Sequence, residues 1–267
     1  MACFVIAEAG VNHNGSLQMA KRLIDAAKES AADAVKFQFF NSRKLWGDDR
    51  IKALELRFAD FQKLHAHCQD VGIEFMCTPF GCEELLLLQP LLKRVKIASG
   101  CIARRPLLEA VAATELPVIL STGMSNIEEI RSAVKVVMSS PNAWETTLLH
   151  CTSSYPCSVG DVNLLAMPLL GIEFGGPVGY SDHTLGITIP IAAAALGASV
   201  IEKHLTLDRN AQGPDHKASI EPTDFRVMVS AIRTVEEALG DGVKRVMPSE
   251  AKLREAWREP AKADRPA

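Results

Sequence analysis

Short apolar runs recur along the chain at spacings that predict strands alternating with helices. Eight runs of about four to seven residues, rich in β-branched side chains, have the length of buried strands. They cover residues 3–9, 34–40, 73–78, 94–99, 117–120, 146–151, 178–181 and 199–204. Between them, apolar residues recur three and four positions apart, which is the pattern of amphipathic helices.

Two of the helical stretches carry terminal signals. Ser125 is the predicted N-cap of a helix over residues 125–140, because Glu128 follows at the spacing of a capping box. In the stretch over residues 221–242, Pro222 falls in the first turn and Gly240 marks the end.

Strands that alternate with helices predict right-handed βαβ units and a parallel sheet. Eight such units in about 250 residues fit a closed (β/α)8 TIM barrel. An open, doubly wound sheet is the alternative, although no GxGxxG motif follows the first strand. We predict a barrel over residues 1–243 and a charged C-terminal tail, the remnant of a linker, over residues 244–267.

Composition narrows the class of protein. Of the 267 residues, 48% are hydrophobic, which is ample for a large core, and the net charge of -3 leaves no basic stripe for nucleic acid. We expect no membrane association, because no apolar stretch is long enough to cross a bilayer and no signal peptide precedes the first strand. Seven cysteines without a CxxC motif indicate reduced thiols, hence a cytoplasmic protein.

Polar side chains stand at the ends of the predicted strands, where such barrels carry their chemistry. The candidate site residues at or just after these ends are Glu8, Lys36, Gln38, Thr78, Lys96, Ser99, Ser121, Ser153, Tyr155, Ser181, His183 and His204.

His183 and His204 follow the seventh and eighth predicted strands, which are neighbours in a closed barrel. The two side chains are therefore expected to face each other at the rim. Two neutral imidazoles make half of a divalent-metal site and leave positions open for substrate oxygens and water. The alternative is that each histidine caps a helix or satisfies a buried carbonyl group.

Lys36 and Lys96 end apolar strands, where an unpaired ammonium group costs several kcal/mol to bury. Two such lysines on one rim indicate an anionic substrate. Neighbouring hydroxyl groups complete a cradle for phosphate or carboxylate, from Thr78, Ser99, Ser121, Ser153 and Ser181. A lysine that forms a Schiff base is the other functional interpretation.

Two carboxylates complete the candidate site. Glu8 ends the first strand beside these cations, which suits a base or an acceptor for a hydroxylated substrate. Asp215 follows a Gly-Pro pair that predicts a loop folded tightly over the site.

Nine short motifs together resemble the sialic acid synthase family. They are IAEAGVNHNGS, VKFQ, TPF, KIASG, ILSTGM, LLHCTSSYP, GYSDHT, IEKHLTLD and GPDHKASIEP, in this order along the chain. The resemblance implies a (β/α)8 barrel that condenses phosphoenolpyruvate with an aldose or N-acylhexosamine, giving a nonulosonic acid and phosphate. It also implies a divalent metal, usually Mn²⁺ with Mg²⁺ or Co²⁺ as alternatives, held by His183 and His204.

The resemblance assigns roles to the remaining strand-end residues. Phosphoenolpyruvate is held by the residues matching Lys36, Lys96, Thr78, Ser99, Ser121 and Ser181. Ser153 matches a family position that is often Asn. The sugar is contacted by the residues matching Glu8, Gln38, Tyr155 and Asp215.

The chain departs from the family pattern at two places. Cys101 occupies the position after SG where the family has an acid, so we expect a thiolate, a proton carried by another group, a different acceptor or a weakened site. The family also continues into a small antifreeze-like domain that gives an arginine to the neighbouring subunit. Here the segment that leads into that domain, VKRVMPSEAK at 243–252, opens the tail, so we expect any homo-oligomer to form through the barrel faces.

Three hypotheses remain. The first is a metal-assisted synthase that uses phosphoenolpyruvate, with Glu8, Lys96 and Cys101 as the catalytic candidates. The second is a lysine-dependent pyruvate aldolase, and the third is a non-catalytic barrel that binds a sugar phosphate.

Overall fold

The computed structural model describes residues 2–49, 51–139 and 146–258. Within these ranges all eight predicted strands are confirmed to within two residues at either end. Their bounds are β1 Phe4–Gly10, β2 Ala34–Phe39, β3 Glu74–Pro79, β4 Val95–Ile97, β5 Val118–Ser121, β6 Thr147–His150, β7 Val178–Asp182 and β8 Val200–His204.

Helices follow the strands, as the apolar spacing predicts. Their bounds are α1 Leu17–Glu29, α2 Ser42–Trp46, α3 Phe58–Val71, α4 Cys82–Leu88, α5 Arg105–Ala112, α6 Ile127–Val137, α7 Ala166–Phe174, α8 Thr188–Ala195, α9 Pro222–Leu239 and α10 Ala251–Arg258.

The predicted start of α6 is wrong by one residue. Asn126, not Ser125, is the N-cap: its side chain accepts from the Glu129 amide at 2.9 Å, and the Glu129 carboxylate accepts from the Asn126 amide at 2.9 Å. Asn and Ser are equally good caps, and the tertiary course of the chain decides which one is used. The start of α9 at Pro222 and its end before Gly240 are confirmed.

The eight strands are parallel and form a nearly closed barrel. Their order is β3-β2-β1-β8-β7-β6-β5-β4, and β3 lies beside β4. The first and last strands of the chain, β1 and β8, pair with each other, which distinguishes the barrel from a doubly wound sheet, whose strand order reverses at a switch point. The prediction of a TIM barrel is confirmed.

The barrel has an inner and an outer core. The outer core lies between the strands and the helices and includes most of the buried apolar residues. The inner core is a small cluster inside the barrel, made by Phe4, Ile6, Ala34, Met76, Ile119, Leu149 and Val200. It forms an apolar base beneath the carboxyl ends of the strands.

Two further features bear on the class of protein. No helix in the described part of the chain is long and apolar enough to cross a membrane. The seven cysteines are free thiols, and Cys82 is exposed while the others are buried.

Helix α10 lies within the predicted tail over residues 244–267. Its side chains are exposed, and residues 259–267 lie outside the described residues.

Candidate active site

Alternation along the strands carries polar side chains into the barrel above the inner core. Successive side chains of a strand point to opposite faces, so residues two apart share a face. On β1, Glu8 follows Ile6 on the inner face, and on β8, Glu202 and His204 follow Val200. The same geometry gives each strand end an inward polar group.

These groups line one cavity of about 450 Å³ at the carboxyl ends of the strands. Every predicted site residue except Cys101 lies on its wall. They are Glu8, Lys36, Gln38, Thr78, Lys96, Ser99, Ser121, Ser153, Tyr155, Ser181, His183, His204 and Asp215. The tertiary structure therefore brings together side chains that are widely separated along the chain.

Lys36 lies between two carboxylates on the cavity floor. Its Nζ is 2.5 Å from Oε2 of Glu8 and 3.6 Å from Oε2 of Glu202, and it donates to Oγ1 of Thr78 at 3.2 Å. Burial lowers the pKa of Lys36, but the charges of Glu202 and Glu8 outweigh it and raise the pKa. Burial raises the pKa of Glu8 despite Lys36. Lys36 is thus a stable cation beside a carboxyl group that can hold a proton.

Lys96 approaches Glu202 from the opposite side. Its Nζ donates to Oγ of Ser121 at 2.6 Å and lies 3.7 Å from Oε1 of Glu202. Burial lowers the pKa of Lys96. Although burial also opposes ionisation of Glu202, the two lysines and the Ser181 hydroxyl lower the pKa of Glu202 to about 2.

Glu202 is not among the site residues predicted from the sequence. The alternation of side chains along β8 would have identified Glu202. Once His204 is assigned to the inner face of β8, the residue two positions earlier faces inward as well. The fixed negative charge of Glu202 explains how two ammonium groups remain buried on one floor.

His183 and His204 face each other as predicted, with ring centroids 5.5 Å apart. Nδ1 of His183 donates to the Thr152 carbonyl at 2.7 Å, which leaves Nε2 with its lone pair. Burial lowers the pKa of both imidazoles, and in His204 the neighbouring His183 and Lys36 lower it further. Both rings are therefore held neutral, the form that binds metals.

The arrangement fits a divalent cation held by two imidazoles. Nδ1 of His204 is buried without a hydrogen-bond partner in the described residues and lies 3.7 Å from Oδ2 of Asp215. Among the described residues, no cluster of three or more His, Cys, Asp and Glu side chains has metal-binding geometry. Two neutral imidazoles are thus the ligands that this place offers, and a cation there would take its remaining ligands from substrate and water.

A polar cluster next to the histidines surrounds Gly10. A Cβ at this position would lie 3.2 Å from Oε1 of Glu8, 3.2 Å from Oδ2 of Asp215 and 3.3 Å from Nε2 of Gln38, and φ is +50°. Glycine fits this position because it has no Cβ and adopts a positive φ without strain. Gln38 donates to Glu8 at 2.9 Å, and burial, with the charge of Glu8, raises the pKa of Asp215 to about 7. These side chains can receive the hydroxyl groups of a sugar.

Residues 23–244 match the NeuB family. The chain belongs to the NeuB family. It is 46% identical to the N,N'-diacetyllegionaminic acid synthase of Legionella pneumophila, over 95% of this chain and 78% of the relative. It is 36% identical to human N-acetylneuraminate-9-phosphate synthase, over 93% of this chain and 74% of the relative.

A solved structure of the same kind has nearly the same backbone. The sialic acid synthetase of Leptospira borgpetersenii, crystallised with citrate, superposes with a TM-score of 0.89 at 39% identity. The match covers 96% of this chain and 91% of that one. The family resemblance inferred from the sequence motifs is confirmed.

In this NeuB-family chain, the candidate residue Cys101 lies apart from the cavity lining. It ends a short 3₁₀ turn over Ser99–Cys101, and its side chain packs in the outer core with 1% of its surface exposed. Burial raises the pKa of the Cys101 thiol, although Arg104 and Lys96 lower it. The thiol is therefore held neutral.

A second cysteine, Cys151, lines the cavity and was not singled out in the sequence. Its Sγ lies 3.2 Å from Oγ of Ser99, which also accepts from the Gly123 amide at 3.0 Å. The alternation of side chains would have identified Cys151 as well, because it lies two positions after Leu149, which faces the barrel interior.

An ion pair lies on the outer faces of β7 and β8, directly behind the histidines. Nζ of Lys203 is 2.6 Å from Oδ2 of Asp182, and both side chains have no exposed surface. Lys203 also donates to the carbonyl of Thr184, and the Thr184 hydroxyl donates to Oδ1 of Asp182 at 2.9 Å. The pair joins the residues that precede His183 and His204.

Proposed function

We propose that the protein condenses phosphoenolpyruvate with an N-acylated aldose, giving a 3-deoxy-2-keto sugar acid and phosphate. The observation that supports this proposal is that Lys36 and Lys96 share one cavity floor with His183 and His204. Membership of the NeuB family supports it independently, because the named relatives are synthases of N-acylated sugar acids.

The two lysines and their hydroxyl neighbours suit the anionic substrate. Lys36 with Thr78, and Lys96 with Ser121, present charged and hydroxyl donors on the same floor. Charge-assisted hydrogen bonds of this kind are the strong ones for phosphate and carboxylate. They would hold phosphoenolpyruvate with its C3 toward the acceptor.

His183 and His204 would hold a divalent cation, for which we propose Mn²⁺. When bound, the cation would act as a Lewis acid that polarises the open-chain aldehyde of the acceptor. Tyr155 would cover this end of the cavity, since its ring centroid lies 4.1 Å from that of His183 and 5.6 Å from that of His204.

The reaction forms one carbon–carbon bond, and at C2 it replaces the bond to the bridging oxygen by a bond to the oxygen of water. C3 of phosphoenolpyruvate bonds to the aldehyde carbon, whose oxygen takes a proton. Water adds to C2, the bond from C2 to the bridging oxygen breaks, and phosphate leaves with that oxygen. Of the two protons of water, one balances the new hydroxyl group and the other leaves with the phosphate, so that C2 becomes a ketone. Glu8 is the carboxyl group placed to exchange a proton with the reactants, because burial raises its pKa and Lys36 stabilises its ionised form.

The test is phosphate release from phosphoenolpyruvate with Mn²⁺ and a panel of N-acylated aldohexoses. Release should require all three components. Lys96→Met should lower kcat/KM about 100-fold or more, since it removes a charge-assisted contact to the reacting group. Lys93→Met, which alters an exposed lysine just before the same strand, is the matched control. Calorimetric binding of phosphoenolpyruvate without release with any acceptor would favour a non-catalytic barrel.

One observation favours a second candidate, the lysine-dependent aldolase. Burial lowers the pKa of Lys96, which raises the fraction of free amine available to form a Schiff base. Borohydride with pyruvate would then modify Lys96 covalently without added metal. Under the main proposal this modification is absent and chelators stop phosphate release.

A further inference from the structure

The loop between β8 and α9 carries Asp215 to the cavity, and backbone hydrogen bonds close the base of this loop. The Thr206 amide donates to the Ile220 carbonyl at 3.0 Å, and the Ile220 amide donates to the His204 carbonyl at 2.9 Å. Leu205 and Ile220 thus form a parallel bridge just beyond the end of β8. Because the loop leaves and returns at one place, the part that carries Asp215 needs other contacts to hold its position.

Asn12, in the turn that follows β1, makes contact with both ends of the β8–α9 loop. Only 3% of its surface is exposed, and its Nδ2 donates to the Leu205 carbonyl and to Oγ of Ser219, each at 2.9 Å. Neither Asn12 nor Ser219 is among the described residues that line the cavity. One buried amide group therefore ties the start and the end of this loop to the first strand of the barrel.

Ser219 connects Asn12 to the backbone of Asp215. Its hydroxyl group donates to the Asp215 carbonyl at 2.7 Å, and the amides of Ala218 and Ser219 donate to the same oxygen at 3.1 Å. The Ser219 side chain is fully buried. Since this hydroxyl group accepts from Asn12 while it donates to Asp215, the two hydrogen bonds polarise and strengthen each other.

The Asp215 carboxyl group depends on this backbone for its position. It lies in the polar cluster around Gly10, and its Oδ2 is 3.7 Å from Nδ1 of His204. Among the described residues, none donates a hydrogen bond to either carboxyl oxygen of Asp215. The contacts that fix this side chain over the cavity are therefore the ones that Ser219, and through it Asn12, make with the Asp215 main chain.

We propose, building on the function above, that Asn12 and Ser219 are positioning residues that hold the Asp215 carboxyl group where it receives the acceptor sugar. Neither side chain lines the cavity, so each acts through Asp215 and not on a reactant. Without their hydrogen bonds the loop samples positions in which Asp215 lies away from the cavity, and the affinity for the acceptor falls with the fraction of loops that remain in place. The floor around Lys36 and Lys96, which binds phosphoenolpyruvate, is unaffected.

Ser219→Ala separates this positioning role from a general loss of stability. With the N-acylated aldohexose that gives the fastest phosphate release, KM for the acceptor should rise about 3- to 10-fold, the effect of one neutral hydrogen bond. KM for phosphoenolpyruvate should stay constant. Ser199→Ala is the matched control, because its hydroxyl group donates to the Val178 carbonyl at 2.7 Å beside the amino ends of β7 and β8, and it should change neither KM. Equal changes of both KM values in Ser219→Ala, or no change, contradict the inference.

Two further variants test whether the effect passes through Asp215. Asn12→Asp keeps the size of the side chain, but a carboxylate cannot donate a hydrogen bond, so KM for the acceptor should rise as it does in Ser219→Ala. In an Asp215→Ala protein, the added Ser219→Ala change should leave the acceptor KM where it is, because the carboxyl group to be positioned is absent. A further rise of the same size in the double variant would show that Ser219 acts by another route, and would overturn the inference.

Amide hydrogen exchange, measured by mass spectrometry on the full chain without substrates, tests the loop independently of turnover. Peptides from residues 209–218 should exchange about 10-fold faster in Ser219→Ala and in Asn12→Asp than in the native protein, and at the native rate in Ser199→Ala. Unchanged exchange in both loop variants overturns the inference whatever the activity. Absence of phosphate release with every acceptor overturns the proposed function instead, and the exchange rates then decide whether Asn12 and Ser219 hold the loop.

Discussion

Removing either partner of the buried ion pair between Asp182 and Lys203, which joins β7 and β8, is expected to destabilise the protein strongly. Both side chains are fully buried, and the 2.6 Å contact is supplemented by hydrogen bonds to Thr184. Lys203→Met would leave the Asp182 carboxylate without its cation. Asp182→Leu would leave the Lys203 ammonium with the Thr184 carbonyl as its remaining acceptor in the described structure.

The expected loss in the free energy of unfolding depends on which of the two charges is left buried without a partner. Removing one partner of a buried pair costs about 3–5 kcal/mol. Lys203→Met should lie near the lower end of this range, because the Thr184 amide and hydroxyl still donate to Asp182 at 3.2 and 2.9 Å. Asp182→Leu should lie near the upper end. The double variant should lose no more than the worse single variant, because no buried charge remains unpaired.

Urea unfolding followed by circular dichroism measures these losses. Arg105→Met is the control: it breaks an ion pair with Glu109 of 2.8 Å whose side chains are 77% and 54% exposed, and such pairs contribute about 0.5 kcal/mol. A loss below about 1 kcal/mol for Lys203→Met would refute the reasoning. So would additive losses in the double variant.

The same ion pair bears on the site. Asp182 and Lys203 immediately precede His183 and His204, so we expect their contact to help hold the two imidazoles at their present separation. At temperatures where the single variants are folded, calorimetry should show Mn²⁺ binding weakened about 10-fold or more. Arg105→Met should bind Mn²⁺ as the native protein does.

Three further predictions rest on burial and on the proposed metal. Burial lowers the pKa of His13 from 6.5 to about 4, so folding keeps this imidazole neutral. The contribution of His13 to stability should therefore be complete above pH 6.5 and fall by up to about 3 kcal/mol as the pH decreases to 4. Urea titrations of the native protein and of His13→Asn should show this loss as the difference between their two pH profiles. Iodoacetamide at pH 8 should label the exposed Cys82 first, as measured by peptide mass spectrometry. Cys101 and Cys151 should react slowly, because burial raises the pKa of both thiols. Early labelling of Cys101 would instead support a thiolate at that position. Mn²⁺ should raise the melting temperature of the native protein and leave that of His183→Ala unchanged, and an equal rise in both would place the cation elsewhere.

Local patterns in the sequence were sufficient for the elements and for most of the site. The period of the apolar runs identified the strands, because a buried strand must present apolar residues on both faces. The rule that such barrels carry their chemistry at the strand ends then predicted that twelve separate side chains would meet at one rim, and all twelve line the cavity. The thirteenth, Asp215, was predicted from the Gly-Pro pair before it. The same rule predicted that His183 and His204 would meet, since they end neighbouring strands.

Other features depended on contacts between distant parts of the chain. The alternation along β8 predicts that Glu202 faces inward. Its ion pairs with Lys36 and Lys96 depend on the packing of three separate strands. Cys101 follows a strand end as the other candidates do, yet the 3₁₀ turn directs it into the outer core. One side of the cavity is bounded by the loop between β2 and α3, where the carbonyl group of Ala53 lies against Gly15, a contact that no local pattern encodes.

The sequence by itself therefore determined which elements form and which side chains face the barrel interior, because both follow from periods of two and 3.6 residues along the chain. Only the tertiary structure decided where turns and loops send their side chains, which buried charges are paired, and how the cavity is bounded. The physical reason is that direction within a strand is set by local backbone geometry, whereas loop position and ion pairing are set by packing between residues far apart in sequence.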